Sequence, residues 1–228
     1  MRIKIQFYSL CLFCFLDCQP PDLCNAADTT STCGILQSTL QNPNTANLPS
    51  VPHCSICRMF VTALPYNANL GGIVGADNKC STASNKPSSG TYKALIVDDV
   101  NRRACTSVNC TSGGVTEQID WVLAPNTTYV QAIDTSKTIF ISNANGVNTN
   151  NLTDVISPAS TGIWTGIRNN PSWDWLTYSG FTCSSWTDGV TTTCGSYGVT
   201  SWTDSRSISI YTVTAGGPTQ YNLLCVEQ

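Results

Sequence analysis

Charged residues are scarce: Asp, Glu, Lys and Arg together make up 11% of the 228 residues, for a formal net charge of −3. That is about half the share usual in soluble domains. No run of Lys or Arg occurs, so the chain lacks what neutralises the phosphates of a nucleic acid. Histidine occurs once, as His53, which excludes any site built on two imidazoles and disfavours Ser-His-Asp or Cys-His catalysis. There is no Gly-x-Ser-x-Gly elbow and no Gly-rich phosphate loop. Glu117 and Asp120 are the only close pair combining Glu with Asp, and nothing else marks them as catalytic. No apolar run reaches the ~20 residues of a spanning helix. Ser, Thr and Asn fill the space left by charge, giving a polar but uncharged surface. The composition points to a binding or surface module, with no enzymatic activity and no cofactor expected.

The N-terminus reads as an export signal over residues 1–17. Arg2 and Lys4 supply a short positive region, and Ile5 to Leu16 is largely apolar. A buried N-terminal helix is the competing reading. Phe15-Leu16-Asp17-Cys18 has the form of a degenerate bacterial lipobox, with Cys18 as the residue to be acylated. Asp17 stands where a small residue is usual, and cleavage near Ala26 is the alternative. Of 13 cysteines, loss of Cys11 and Cys14 with the signal and lipidation of Cys18 leave an even set. Cleavage at Ala26 leaves an odd one.

So many cysteines in a charge-poor exported chain indicate disulfides formed in an oxidising compartment. Cys54-Ser-Ile-Cys57, beside His53, also has a zinc-like spacing. A zinc ribbon needs a second close pair, whereas Cys105 and Cys110 lie almost fifty residues on, in a Thr/Asn-rich context. A redox C-x-x-C normally opens a helix in a parallel α/β pattern, which this chain does not show. Structural disulfides are the reading retained.

Residues 18–57 carry Gln19-Pro20-Pro21, Asn42-Pro43-Asn44 and Leu48-Pro49-Ser50-Val51-Pro52, and read as a flexible tether. The folded unit is expected over 58–228. Ile73, Ala76, Cys80 and Ala83 recur at helical spacing between Asn69 and Ser84. Asn85 to Gly90 reads as a turn. Tyr92–Val97, Thr138–Ser142, Ile163–Ile167, Ser207–Val213 and Asn222–Val226 read as strands, and Ser207-Ile208-Ser209-Ile210-Tyr211 alternates cleanly. Ile119–Leu123 is apolar but ambiguous. The loops between these elements are longer than a compact domain normally tolerates. Ser185-Trp186-Thr187-Asp188 recurs as Ser201-Trp202-Thr203-Asp204, either as two loop edges with similar jobs or by chance.

An ordered set of segments carries a family resemblance. It runs from Phe60-Val61-Thr62 through Tyr66-Asn67-Ala68-Asn69-Leu70-Gly71-Gly72 and Gly75-Ala76-Asp77-Asn78-Lys79-Cys80. Asn85-Lys86-Pro87, Gly90-Thr91-Tyr92-Lys93-Ala94-Leu95 and Asn101-Arg102-Arg103-Ala104-Cys105 follow. The later members are Ile119-Asp120-Trp121-Val122-Leu123, Ile163-Trp164-Thr165-Gly166-Ile167, Cys183-Ser184-Ser185-Trp186 and Leu223-Leu224-Cys225-Val226-Glu227-Gln228. This set is similar to a domain of unknown function in surface lipoproteins of Leptospira, grouped with C-type-lectin-like and endostatin-like folds. The resemblance covers about residues 58–228. It implies an α+β domain with short antiparallel strands, one or two helices and long loops, stapled by disulfides. It also implies a last strand lying beside the first. Cys80 and Cys225 would match the family's long-range disulfide, and Cys105–Cys110 and Cys183–Cys194 are expected as local pairs. Cys24, Cys33, Cys54 and Cys57 stay unassigned.

Calcium-dependent sugar binding, the activity of true C-type lectins, is not expected. Trp186-Thr187-Asp188 sits near the second ligand motif with Thr in place of the ligating Asn, and no Glu-Pro-Asn or Gln-Pro-Asp precedes it. Ala124-Pro125-Asn126 lacks the carboxylate. Protein recognition fits the composition better, since Tyr and Trp bring contact area and Ser, Gly and Asn bring adaptable hydrogen bonds. The densest candidate is Arg168-Asn169-Asn170-Pro171-Ser172-Trp173-Asp174-Trp175-Leu176-Thr177-Tyr178, read as a loop. Its ligand-binding candidates are Arg168, Trp173, Trp175 and Tyr178; the alternative has Trp173 and Trp175 covering the domain's own core. Arg102 and Arg103, the one adjacent basic pair, join them as candidates for an acidic partner or sulfated glycan, against a solvated pair partly neutralised by Asp98 and Asp99. The sequons at Asn109, Asn126 and Asn151 matter only in a eukaryotic secretory pathway.

Related endostatin-like surface proteins of leptospires bind extracellular matrix and complement regulators. The resemblance therefore implies a lipid-anchored protein of the outer membrane and cell surface, acting in adhesion or immune evasion through host matrix or complement proteins. An envelope protein without a host ligand and a calcium-independent glycan-binding module are the alternatives. Formylglycine-generating enzymes share the lectin-like fold, but fold alone does not give function.

Overall fold

The sequence places unbroken apolar runs such as Leu223-Leu224-Cys225-Val226 and Ala94-Leu95-Ile96-Val97 where a strand would be buried on both faces. In the computed structural model, residues 54–170, 172–210 and 219–228 are described. The export segment 1–17, Cys18, Cys24, Cys33 and nearly all of the tether therefore lie outside the described residues. So does 211–213, the end of one expected strand.

A five-stranded sheet is built from β1 (Ile56–Val61), β2 (Tyr92–Ala94), β3 (Thr128–Gln131), β4 (Thr138–Ile141) and β9 (Leu224–Glu227), in the order β2-β9-β1-β3-β4. β1 and β3 run parallel, and the other pairs are antiparallel. The last strand thus lies beside the first, with Phe60 opposite Cys225. β5 (Gly162–Trp164) pairs with β8 (Tyr197–Val199), and β6 (Ile167–Asn170) with β7 (Ser172–Thr177), as two-stranded sheets. α1 (Gly72–Thr82) is the one helix of any length among the described residues. The architecture is α+β, with few helices and short strands.

Both faces of the main sheet are covered. Met59, Leu95, Val97, Leu224 and Val226 turn into one apolar cluster. Their neighbours Phe60, Ala94, Ile96, Leu223 and Cys225 turn into a second, which also takes Ile73, Ala76 and Cys80 of α1. That is the two-residue period of a strand with each side chain finding a core. Trp164 and Trp186 fill the second cluster with ring centroids 5.7 Å apart. Their ring N–H groups donate to the carbonyls of Tyr66 and Val97 at 2.9 and 2.8 Å, so neither buried indole is left unpaired. Gly166, at φ +69°, lets the backbone pass here. A Cβ on it would stand 2.5 Å from the Val97 carbonyl oxygen, which explains the glycine of the Trp164-Thr165-Gly166 motif.

Among the described residues, four disulfides join Cys54–Cys57, Cys80–Cys225, Cys105–Cys110 and Cys183–Cys194. Cys80–Cys225 ties α1 to β9 across 145 residues. β1 begins at Ile56, so Ile56 and Cys57 belong to the sheet and not to the tether.

Two local expectations fail. Over the described part of the expected strand 207–213 there is no strand: Ser205–Ser207 form a 3-10 turn and Ile208–Ile210 belong to no strand. Ser207 and Ser209 are buried, so the alternation does not separate a wet face from a dry one. The stretch 168–178 is not a loop either. It is the β6–β7 hairpin, with a register shift between Arg168 and Asn169 and a positive φ of 57° at Trp175 that mark a bulge.

Candidate binding surface and the sequence-selected residues

The aromatic hairpin faces inward. Trp173 and Trp175 are buried at 7% and 1% exposure and stack at 5.7 Å with an interplanar angle of 15°. Trp175 also meets Trp121 edge-on and donates its ring N–H to the Asn148 carbonyl. Both tryptophans are therefore core, correcting their selection as ligand contacts. The bulge turns them under the hairpin, and no spacing rule reveals a bulge. Trp175→Ala is expected to cost about 3–5 kcal/mol of stability, as large aromatic deletions in cores do. Urea unfolding checks this, and loss of ligand binding in that variant would report unfolding. Arg168 remains partly exposed and pairs with the buried Asp174 at 3.2 Å. Tyr178 is partly exposed and packs on Phe181, ring centroids 4.1 Å apart.

Arg102 is likewise no surface group, being 0% exposed. Its Nη1 and Nη2 donate to the two Asp77 oxygens at 2.9 and 2.8 Å. Nη1 reaches the Ala94 carbonyl at 2.8 Å and Nε the Asp120 carbonyl at 2.9 Å, while Nη2 also pairs with the Asp120 carboxylate. Burial opposes the charged form, but the two aspartates outweigh it and hold the guanidinium protonated. Lys93 completes the cluster on Asp120. Burial raises the Asp120 pKa, and Lys93 and Arg102 together bring it below its ordinary value. Asp98 is occupied too, accepting from the backbone N–H groups of Val100, Asn101 and Arg102. Arg103 keeps partial exposure; its Nε donates to the Glu117 carbonyl at 2.9 Å, and its Nη1 lies 3.7 Å from the Asp99 carboxylate as an ion pair.

Glu117 is caged. It accepts from the backbone N–H and hydroxyl of Thr106, the backbone N–H and hydroxyl of Ser107, and the N–H of Gly113, all between 2.6 and 2.9 Å. These donors, led by the Ser107 hydroxyl, hold its pKa at about 2. Glu117 lies close to Cys105 and Cys110 in a metal-like cluster, but the two sulfurs are bonded to each other and the carboxylate is already saturated. The ordinary glutamate pKa is about 4.3, so the native state gains from ionised Glu117 above that pH. This gain disappears as pH falls from about 4.3 towards 2. Glu117→Gln is expected to be less stable than wild type at pH 7, with the difference narrowing below pH ~4. Urea midpoints across that range measure it.

The repeated Ser-Trp-Thr-Asp does two jobs. Trp186 is buried core, whereas Trp202 is partly exposed beneath Arg206, whose guanidinium carbon lies 3.2 Å from the ring centroid. Only the aspartates behave alike: Asp188 and Asp204 each accept a backbone N–H two residues on, from Val190 and Arg206.

A cleft missed in the sequence opens at the carboxyl ends of the parallel strands β1 and β3. Its volume is about 310 Å3, and Phe60, Val61, Pro87, Ala132, Ile133 and Ile156 form its apolar lining. That lies at the low end of the roughly 300–1,000 Å3 typical of ligand sites. Asn85 and Gln131 supply its amides. Asn85 already holds the Ala63 N–H and the Val61 carbonyl, and the Gln131 Nε2 donates to the Val155 carbonyl. No lining residue titrates, so the cleft itself offers contact and not proton transfer. Ile133 stands at its edge 88% exposed, two residues beyond the end of β3.

These features define an α+β, disulfide-stapled module with a small apolar cleft. The chain belongs to the family described as Protein of unknown function (DUF1554), whose model matches residues 63–203. The match spans α1 through Trp202 and stops short of β9. Comparison with curated proteins finds no match. Among the described residues, no helix is long and apolar enough to cross a membrane.

Proposed function

We propose that this chain is a recognition module of the bacterial envelope: a lipoprotein anchored through Cys18 at the outer surface, with a C-type-lectin-like, endostatin-like domain that binds host matrix proteins or complement regulators without calcium. The observation that carries the recognition reading is the cleft at the ends of β1 and β3, walled by apolar side chains and two amides, without a titratable wall and edged by the exposed Ile133. An apolar pocket of this kind takes an anchoring side chain of a partner. The fold assignment draws on β9 lying beside β1 and on the Cys80–Cys225 bond between α1 and β9. Export is supported by the pairing of all eight described cysteines. Arg168 and Tyr178, still partly exposed, remain contact candidates on the hairpin.

The test is binding of the full chain to immobilised matrix proteins and complement regulators, with calcium or EDTA and over a salt series. Saturable binding indifferent to EDTA and only weakly sensitive to salt is expected. Ile133→Asp should weaken it by about tenfold or more while leaving thermal unfolding unchanged, because the side chain is exposed. No binding by the folded chain would remove the host-ligand reading, and full binding by Ile133→Asp would remove the cleft from it.

A further inference from the structure

The four disulfides are not equivalent. Cys80, Cys105, Cys110, Cys183, Cys194 and Cys225 are all at most 6% exposed, and their bonds lie inside the apolar clusters. Cys54–Cys57 differs in three ways. Cys54 is only partly buried, while Cys57 is 0% exposed. The bond spans three residues of sequence, so it restrains the unfolded chain least. Cys54 also precedes β1, which starts at Ile56, whereas Cys57 is held in that strand opposite Tyr129 of β3. Cys54 thus lies outside the strand pairing that holds Cys57.

From this asymmetry we propose that Cys54–Cys57 is a thiol–disulfide exchange site for small thiols, with Cys54 as the sulfur that accepts the incoming thiol. Exchange needs approach of a thiolate to one sulfur, and access decides which. The incoming thiolate bonds to Cys54 Sγ, the Cys54–Cys57 bond breaks, and Cys57 leaves as a thiolate that takes up a proton. The product is a mixed disulfide at Cys54 with no net oxidation or reduction. A second thiol attacking the external sulfur of that mixed disulfide releases the small disulfide and leaves Cys54 and Cys57 as thiols. Two thiols are then oxidised and one protein disulfide reduced. Alternatively, Cys57 attacks Cys54 and restores the bond, expelling the original thiol. Cys57, rigid in β1 and within reach, is placed to be the resolving partner.

The experiment treats the oxidised full chain with graded glutathione, quenches with an alkylating reagent and maps each cysteine by peptide mass. Glutathione on Cys54 and alkylation of Cys57 are expected at least about tenfold faster than modification of the other six described cysteines, with circular dichroism unchanged. Loss of all four bonds in one step, loss of Cys183–Cys194 first, or the adduct on Cys57 would overturn the proposal. Single variants provide the second readout. In Cys57→Ser, the Cys54 thiol should react promptly with an aromatic disulfide reagent in the native state. In Cys54→Ser, the Cys57 thiol should react slowly, and equal or reversed rates would defeat the assignment.

Discussion

Arg102→Met is expected to lower the unfolding free energy by about 3 kcal/mol, the lower end of what breaking a buried ion pair costs. In a domain of this size that corresponds to a drop of roughly 6–12 °C in Tm. The side chain is fully buried, and its donors serve Asp77 on α1, the Ala94 carbonyl on β2 and both the carbonyl and carboxylate of Asp120. Removing it takes a donor from the Ala94 and Asp120 carbonyls and leaves two carboxylates facing one another. The figure stays at the low end because Asp77 and Asp120 are 23% and 40% exposed and regain water. Arg102→Lys should fall between, since one ammonium cannot replace the planar fork that meets Asp77 at two points. Asp120→Asn should cost less than either. Urea denaturation of the three variants tests the order, and an Arg102→Met protein as stable as wild type would contradict the hub role.

The second large effect belongs to Cys80–Cys225. Replacing both cysteines with alanine frees a loop of 145 residues in the unfolded chain, for which the chain-entropy account gives about 5 kcal/mol. The same account gives about 2 kcal/mol for the short Cys54–Cys57 ring. Denaturant midpoints of the two double variants should therefore separate clearly. Equal midpoints would mean that bond enthalpy or residual structure, not loop closure, sets the contribution. The link joins the core-facing side of α1 to the interior strand β9. Its loss should therefore loosen the helix first, which amide exchange along Ile73 to Cys80 would register.

Both effects bear on how binding is to be assayed. Trp173, Trp175 and Arg102 had every sequence attribute of a contact residue, yet substitution at any of them perturbs the core. Ile133 can be changed without that confusion, because its side chain reaches solvent, whereas loss of Arg168 would leave the buried Asp174 without its partner.

The parts legible in the sequence were those set by short-range physics. The helix over 72–82 was visible because Ile73, Ala76 and Cys80 recur on one face. The strands around 92–94, 138–141 and 224–227 were visible because their apolar runs have no other way to be buried. Abundance of cysteine likewise indicated a cross-linked chain, as the disulfides of the described residues show. Tertiary structure alone decided the rest. Ser207 to Ile210 alternates as a strand would, but Ser205–Ser207 close into a 3-10 turn and the Ile208 and Ser209 N–H groups bond back to the Ser205 carbonyl rather than along a partner strand. The 168–178 stretch looked like a loop because a hairpin depends on cross-strand pairing and a bulge that local composition does not encode. Arg102 looked solvated because its neutralising aspartates lie 25 and 18 residues away. The cleft beside Ile133 was invisible because its walls come from β1, β3 and two distant loops. The sequence by itself therefore determined the α+β class, the disulfide cross-linking and the locally periodic elements. Which polar groups are buried and which apolar ones meet solvent was decided only when long-range contacts brought their partners together.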